Sequence, residues 1–100
     1  MARVELHVYP PLSYKMTSKR VGVLIVEQET GLGATLGDLL AKLESGDHEA
    51  WRDIFDAQTG QIQPAIMTVL NDTLLSHSVV PQTPLSDGDK ITLRIVYAGG

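Results

Sequence analysis

The chain has 100 residues, a length that fits a single domain with one modest core. Hydrophobic residues make up 43% and charged residues 20% of the sequence, which excludes an intrinsically disordered chain. The absence of cysteine excludes disulfides and cysteine chemistry, and the net charge of −4 argues against a nucleic-acid partner. Charge near the start argues against a signal peptide, and no apolar run could span a bilayer, so we expect a cytoplasmic protein without a membrane partner.

The chain is predicted to open with two strands. Val4, Leu6 and Val8 alternate with polar or charged neighbours, which is the two-residue period of a strand with one buried face. The apolar run 21–26 predicts a second strand, although its pattern does not assign the two faces. The segment 12–17 between them is predicted to be a connection, and we expect the two strands to form an antiparallel hairpin, although the connection is longer than the usual two to five residues.

The third element is predicted to be an amphipathic helix that starts after Thr35. Thr35 can cap the helix together with Asp38, which stands three positions later near the favourable end of the helix dipole. Gly46 is a natural place for the helix to end. Four leucines spaced i, i+3, i+4 and i+7 share one face and should supply most of the core; they are Leu36, Leu39, Leu40 and Leu43.

A short second helix is predicted after residue 47. Trp51, Ile54 and Phe55 repeat the helical spacing there, and Trp51 is expected to pack in the core. The glycine-containing segment 56–60 should end this helix.

A further hairpin is predicted in the second half of the chain. Ile66–Leu70 favours a strand, and Asn71 and Asp72 favour the turn that follows it. The chain should then form a short edge strand at Leu74, and we expect the segment 76–81 to be a loop.

The last strand is predicted over 91–97. Every second residue from Ile91 is apolar and should face the core, so that Thr92, Arg94 and Val96 point outward. The run Asp87-Gly88-Asp89 forms a turn that leads the chain into this strand.

The sequence ends in Gly99 and Gly100. Because glycine lacks Cβ, such a tail can enter a channel too narrow for a side chain. The tail therefore suits the delivery of a carboxylate into the active site of another protein.

The turn 87–89, the final strand and the ending Ala98-Gly99-Gly100, together with the segments 69–74 and 35–40, resemble the sulfur-carrier proteins of the MoaD/ThiS family, and more closely its MoaD-like branch. The resemblance implies an α+β, ubiquitin-like β-grasp fold, in which a mixed sheet of four to five strands packs on one main helix, with a short second helix. It also implies that the first and last strands pair in parallel at the centre of the sheet. Residues 1–97 would form one domain and 98–100 a flexible tail.

The resemblance further implies a carrier protein rather than an enzyme. Such a carrier could be the small subunit of molybdopterin synthase. An E1-like adenylating enzyme would use ATP in trans to activate Gly100, next to Gly99, and the carboxylate would become a thiocarboxylate. The sulfur would pass to molybdopterin through a sulfur-accepting synthase subunit, or, as the second option, to the thiamine thiazole. No bound cofactor is expected.

The resemblance also implies a docking surface made of Arg94, Val96, Tyr97 and Ala98. The alternative for Arg94 is an ion pair across strands with Glu5, whose side chain should share that face.

Two other functions stay open from the sequence. One is a ubiquitin-like modifier conjugated to lysine through its terminal glycine, and the other is a β-grasp binding module with an inert tail. A metal site is not expected, because His7, His48 and His77 lack the spacing of metal ligands.

Overall fold

The computed structural model describes residues 1–16, 22–46, 49–56 and 58–96. They form a five-stranded mixed sheet, one α-helix, a separate two-stranded hairpin and three short 3-10 segments. The strands are β1 (Ala2–Val8), β2 (Leu24–Thr30), β3 (Phe55–Asp56), β4 (Gln61–Ile62), β5 (Ile66–Leu70), β6 (Thr73–Leu75) and β7 (Lys90–Ile95), and the helix is α1 (Leu36–Gly46). The 3-10 segments are Leu12–Lys15, Glu49–Asp53 and Val80–Gln82.

The five strands of the main sheet lie in the order β2-β1-β7-β5-β6. The central strand, β7, pairs in parallel with β1 and antiparallel with β5, which confirms the parallel pairing of the first and last strands. The remaining pairs, β1 with β2 and β5 with β6, are antiparallel hairpins as predicted.

One face of this sheet is buried against α1, and the alternation in the sequence explains why. Val4, Leu6 and Val8 of β1 are fully buried, as are Ile91 and Leu93 of β7. Their neighbours in sequence point to the opposite side, which we call the outer face, because side chains alternate along a strand. The predicted burial of the first and last strands is therefore confirmed.

Helix α1 begins with the predicted capping box. The backbone N–H of Asp38 donates to Thr35 Oγ1 at 3.1 Å, and the N–H of Thr35 donates to Asp38 Oδ2 at 2.9 Å. The four leucines of the predicted stripe are all buried in the core. Gly37 lies against the 3-10 segment Val80–Gln82, so closely that a Cβ added there would stand 2.6 Å from the Pro81 carbonyl oxygen.

The prediction for the second strand was wrong in its bounds. Within the described residues, β2 begins at Leu24 and extends through Glu29 to Thr30, well beyond the apolar run 21–26. The apolar run did not mark the bounds of the strand because its residues are not all buried: Ile25, although apolar, points to the outer face and is 54% exposed. In an edge strand that is half-solvated, the apolar run and the strand need not coincide.

The predicted second helix is also different in the structure. Glu49–Asp53 forms a single 3-10 segment, and Phe55 belongs to the hairpin of β3 and β4, which the sequence did not indicate. Trp51 and Phe55 are buried in the core, so the predicted packing role of Trp51 is confirmed.

The segment 76–81, predicted as a loop, runs into the 3-10 segment Val80–Gln82, and Val80 is buried in the core. The last strand ends at Ile95, two residues before the predicted end at 97.

Candidate docking surface at the end of the central strand

The outer face of the sheet forms a continuous row of side chains across all five strands. Cross-strand pairing places Ile25 beside His7, His7 beside Thr92, and Thr92 beside Val69, which in turn pairs with Leu74. Because directly paired residues project on the same side of a sheet, this row is one surface. Ile25 and Leu74 at its two ends are more than half exposed.

Arg94 lies one step further along β7, at the end where the chain leaves the sheet. Its guanidinium carbon stands 4.4 Å from the centre of the Tyr9 ring, in the geometry of a cation–π contact. The parallel pairing of β1 and β7 makes this contact possible, since it brings the carboxyl ends of both strands together. The Tyr9 backbone N–H donates a hydrogen bond to the Leu93 carbonyl oxygen at 2.9 Å. The ring therefore fixes the direction of an otherwise exposed arginine.

Val96 follows directly after β7 and is anchored without being in a strand. Its backbone N–H donates to the Ala65 carbonyl oxygen at 2.8 Å, while its side chain remains 51% exposed. Val96 also borders a groove of about 430 Å³, and the other apolar side chains of that groove are Pro64, Ile66, Met67, Leu74 and Leu75. We call the surface formed by Tyr9, Met67, Leu74, Arg94 and Val96 the exit surface, because the chain leaves the sheet there.

Sequence comparison assigns the chain to a family. Residues 19–100 match the model of the ThiS family. The chain belongs to the ThiS family. Proteins of this kind are small carriers that work with E1-like activating enzymes and are not enzymes themselves. No curated protein sequence matches the chain.

Solved structures from Haloferax volcanii share the fold. The crystal structure of SAMP1 has a TM-score of 0.72 and 22% identity, covering 99% of this chain and 100% of that chain. A crystal structure of small archaeal modifier protein 1 has a TM-score of 0.69 and 20% identity, covering 97% of this chain and 100% of that chain. The solution structure of the HVO 2177 protein has a TM-score of 0.70 and 24% identity, covering 99% of this chain and 87% of that chain. These similarities confirm the ubiquitin-like β-grasp fold.

The structure of this ThiS-family chain tests the ion pair between Arg94 and Glu5, which was the alternative to a docking role for Arg94. The ion pair of Arg94 with Glu5 is wrong: Glu5 stands opposite Lys90, at the other end of β7, and its carboxylate contacts His7 Nε2 at 3.0 Å. Arg94 lies four positions after Lys90 along the strand, roughly 13 Å at the usual rise per residue. The partner of Arg94 is Tyr9 instead.

The outer face of this family member is electrostatically polarised. The exit surface carries the cation Arg94 among apolar side chains, whereas the opposite end holds a cavity of about 280 Å³ that is largely acidic. Four carboxylates and one cation border that cavity; they are Glu5, Glu27, Asp87, Asp89 and Arg3. A protein that docks on the exit surface meets one positive charge surrounded by apolar contacts.

The structure places two of the predicted site residues, Arg94 and Val96, side by side on the exit surface. Tyr97, Ala98, Gly99 and Gly100 lie outside the described residues, so their predicted roles remain predictions. Sequence reasoning missed Tyr9 and Met67, which join this surface only through pairing with β7. The sequence feature that could have indicated the role of Tyr9 was its position at the end of the first strand, which was expected to pair in parallel with the last strand.

Neither a metal centre nor a membrane span is found in the part of the chain that the structure describes. No group of three or more His, Asp or Glu side chains there is arranged to hold a metal ion. No helix there has the length and apolar character needed to cross a bilayer.

Proposed function

We propose that this chain is a sulfur carrier whose Gly100 carboxylate is adenylated by an E1-like enzyme and then converted to a thiocarboxylate. Membership of the ThiS family supports the carrier role. The observation that carries the proposal is the exit surface, because it presents an oriented arginine and exposed apolar side chains next to the point where the chain leaves β7. A partner that holds this surface would control where the terminal glycines go.

The chemistry of the proposed activation needs two steps. A Gly100 carboxylate oxygen attacks the α-phosphorus of ATP, which forms an acyl-adenylate and releases pyrophosphate. A sulfide-level sulfur donor then attacks the acyl carbon, AMP leaves with the electron pair of the broken bond, and the terminus becomes a thiocarboxylate. The sequence contains no cysteine, so the terminus is the group left to carry the sulfur. ATP is a substrate of the partner enzyme in this scheme.

For the sulfur acceptor, we propose a molybdopterin precursor bound to a synthase subunit, following the resemblance to the MoaD-like branch. The thiamine thiazole is the second acceptor. Both reactions use the same thiocarboxylate and differ only in the enzyme that receives it.

The test is an intact-mass measurement after incubation with an E1-like adenylating enzyme, ATP and sulfide. The expected product is heavier by the difference between one sulfur and one oxygen atom. Omission of ATP should abolish it, and so should removal of Gly99 and Gly100. A mass that stays unchanged with every E1-like enzyme of the source cell would contradict the proposal.

Conjugation to protein lysines is the second candidate, and the name of the structural neighbour, small archaeal modifier protein 1, favours it. It would use the same acyl-adenylate but end in an isopeptide bond to a lysine amine. Because trypsin cleaves after Arg94, a modified lysine would keep residues 95–100 attached after digestion. Peptide mass spectrometry of cell extracts for this remnant distinguishes the two fates.

A further inference from the structure

Strand β2 lies at the edge of the main sheet, and its outer backbone groups can be identified from the pairing. The backbone N–H groups of Glu5 and Tyr9 donate toward β7. The backbone N–H and C=O groups of odd residues in β1 therefore point toward β7, and those of even residues point toward β2. In the antiparallel register, even residues of β1 oppose even residues of β2, from Leu24 to Thr30. The N–H and C=O groups of the odd β2 residues therefore point to the free edge. These residues are Ile25, Glu27 and Glu29.

This edge has charged side chains but no other common protection against strand addition. Proteins protect edges with short strands, charged side chains, proline or bulges. Strand β2 has seven residues, contains neither proline nor lysine, and pairs with β1 without interruption over its whole length. The opposite edge strand, β6, has only three residues. Among the described residues, no backbone hydrogen bond is made by the outward groups of β2.

The side chains along the edge select for a basic partner. Glu27 and Glu29 are exposed on the outer face. Arg3 Nη2 contacts Glu29 Oε1 at 3.0 Å, and hydrogen bonding to Glu29, with the further charges of Glu27 and Asp87, raises the pKa of Arg3. One arginine is thus shared among several carboxylates, and the acidic cavity lies directly beside Glu27. Opposite charges paired across strands stabilise a sheet, whereas like charges destabilise it.

The same charges oppose pairing with a second copy. If two β2 edges met across a two-fold axis centred on Glu27 or Gln28, a glutamate of one copy would face a glutamate of the other. The inner side of β2 shows what a partner would gain, since Leu24 and Val26 pack on the core but remain only half buried. A strand added beside β2 would cover both.

We propose that the free edge of β2 binds an extended basic segment of a partner protein by antiparallel strand addition. The segment places basic side chains opposite Glu29 and Glu27 and an apolar side chain opposite Ile25, so the pattern is basic-x-basic-x-apolar. Its intervening residues are apolar and lie opposite Gln28 and Val26, and an apolar residue directly after the pattern would lie opposite Leu24. Main-chain hydrogen bonds supply affinity in this mode, and the alternating side chains supply specificity. The site goes beyond the proposed carrier chemistry and does not depend on it, because it uses neither β7 nor the terminal glycines.

The first test uses a capped peptide with the core Lys-Val-Arg-Val-Ile and amide hydrogen exchange of the full chain. Binding should slow exchange at the amides of Ile25, Glu27 and Glu29, while those of the even residues are already protected by β1. N-methylation of the peptide arginine, whose N–H would meet Glu27, should weaken binding roughly tenfold, as expected for a lost hydrogen bond. N-methylation of the preceding valine, whose N–H would face solvent, should leave binding unchanged.

The second test separates edge recognition from general attraction of opposite charges. The double variant Glu27→Lys/Glu29→Lys should bind the peptide about tenfold more weakly or worse, since two attractive pairs become repulsive. Its control, Asp53→Lys/Asp72→Lys, changes the net charge equally at exposed sites away from β2 and should bind like the original chain. Circular dichroism checks that both variants fold.

Four results would overturn the proposal. They are the absence of saturable binding, binding that leaves the three edge amides unprotected, an equal loss in both double variants, and concentration-dependent protection of the edge without peptide. The last result would show that a second copy occupies the edge.

Discussion

Asn71 Nδ2 donates a hydrogen bond to Asp89 Oδ1 at 3.1 Å and thereby joins two turns that are 18 residues apart in sequence. Asn71 also accepts from the Lys90 backbone N–H at 3.0 Å and donates its own N–H to the Lys90 carbonyl oxygen at 2.7 Å. The second oxygen of Asp89 accepts from the Ser86 N–H at 2.7 Å. The start of β7 is therefore fixed by the turn between β5 and β6.

Substitution of Asn71 should separate its backbone role from its side-chain role. Asn71 has a φ of 56°, a region that glycine adopts readily and alanine does not. We expect Asn71→Gly to lower the free energy of unfolding by about 1–2 kcal/mol through lost hydrogen bonds, and Asn71→Ala by about 2–4 kcal/mol. Denaturant unfolding measures both. Equal losses would show that the backbone conformation contributes nothing.

Gly37 and Gly46 offer a matched pair of glycines within α1. Alanine normally stabilises a helix relative to glycine by about 1 kcal/mol. At Gly46, the last residue of α1, there is open space and a smaller gain than in a helix interior should appear, whereas at Gly37 the new methyl group would collide with the Pro81 backbone. Gly37→Ala should therefore lower the free energy of unfolding by about 1–3 kcal/mol, as overpacking does. If both variants were stabilised, the contact with Pro81 would have to be loose.

The features that the sequence predicted correctly are those encoded in short segments. Thr35 and Asp38 cap α1 within one turn, and Val4 to Val8 alternate within one strand, so neighbouring residues carry the whole signal. The turn at Asn71 follows from the preference of asparagine for positive φ.

The features that were missed depend on distant segments. The contact of Arg94 with Tyr9 follows from the register between the first and last strands, which no local pattern contains. The hairpin of β3 and β4 has two residues in each strand, too few to show an alternation. Phe55 was assigned to a helix because its spacing from Trp51 suits a helix, but its burial is satisfied equally well from a strand.

The exit surface predicts how charge at Arg94 affects association with an E1-like enzyme. Arg94→Glu should slow association by about tenfold or more at low salt while leaving the fold intact, because opposed charges steer encounter. Lys90→Glu is the matched control, since Lys90 is also exposed on the outer face but at the other end of β7. Stopped-flow association rates at low and moderate salt measure the effect. Arg94→Glu rates equal to those of the original chain at both salt concentrations would remove Arg94 from the docking surface.

Tyr9→Leu should show what the ring contributes to that surface. It keeps an apolar side chain but removes the cation–π contact, which contributes about 0.5–1 kcal/mol at an exposed site. We expect a two- to fivefold weaker affinity for the E1-like enzyme, caused by faster dissociation, since the arginine charge that guides encounter is kept. A changed association rate with an unchanged dissociation rate would contradict this assignment.

Removal of Gly99 and Gly100 should abolish adenylation without lowering the melting temperature. The core side chains of the last strand, Ile91 and Leu93, lie well before the deleted residues. Pyrophosphate release measures the reaction, and thermal unfolding measures stability. A comparable fall in melting temperature would show that the glycines support the fold, and their part in the chemistry would then be unproven.

The position of β7 between β1 and β5 has a mechanical consequence. A partner that pulls on the chain beyond Val96 pulls along the axis of β7, at right angles to the hydrogen bonds of its antiparallel ladder and obliquely to those of its parallel one. Both ladders are then loaded in shear, so many bonds share the force at once instead of breaking one after another. Single-molecule pulling from the carboxyl-terminal side should thus require a higher rupture force than pulling at Leu74, where the short edge strand β6 can peel away.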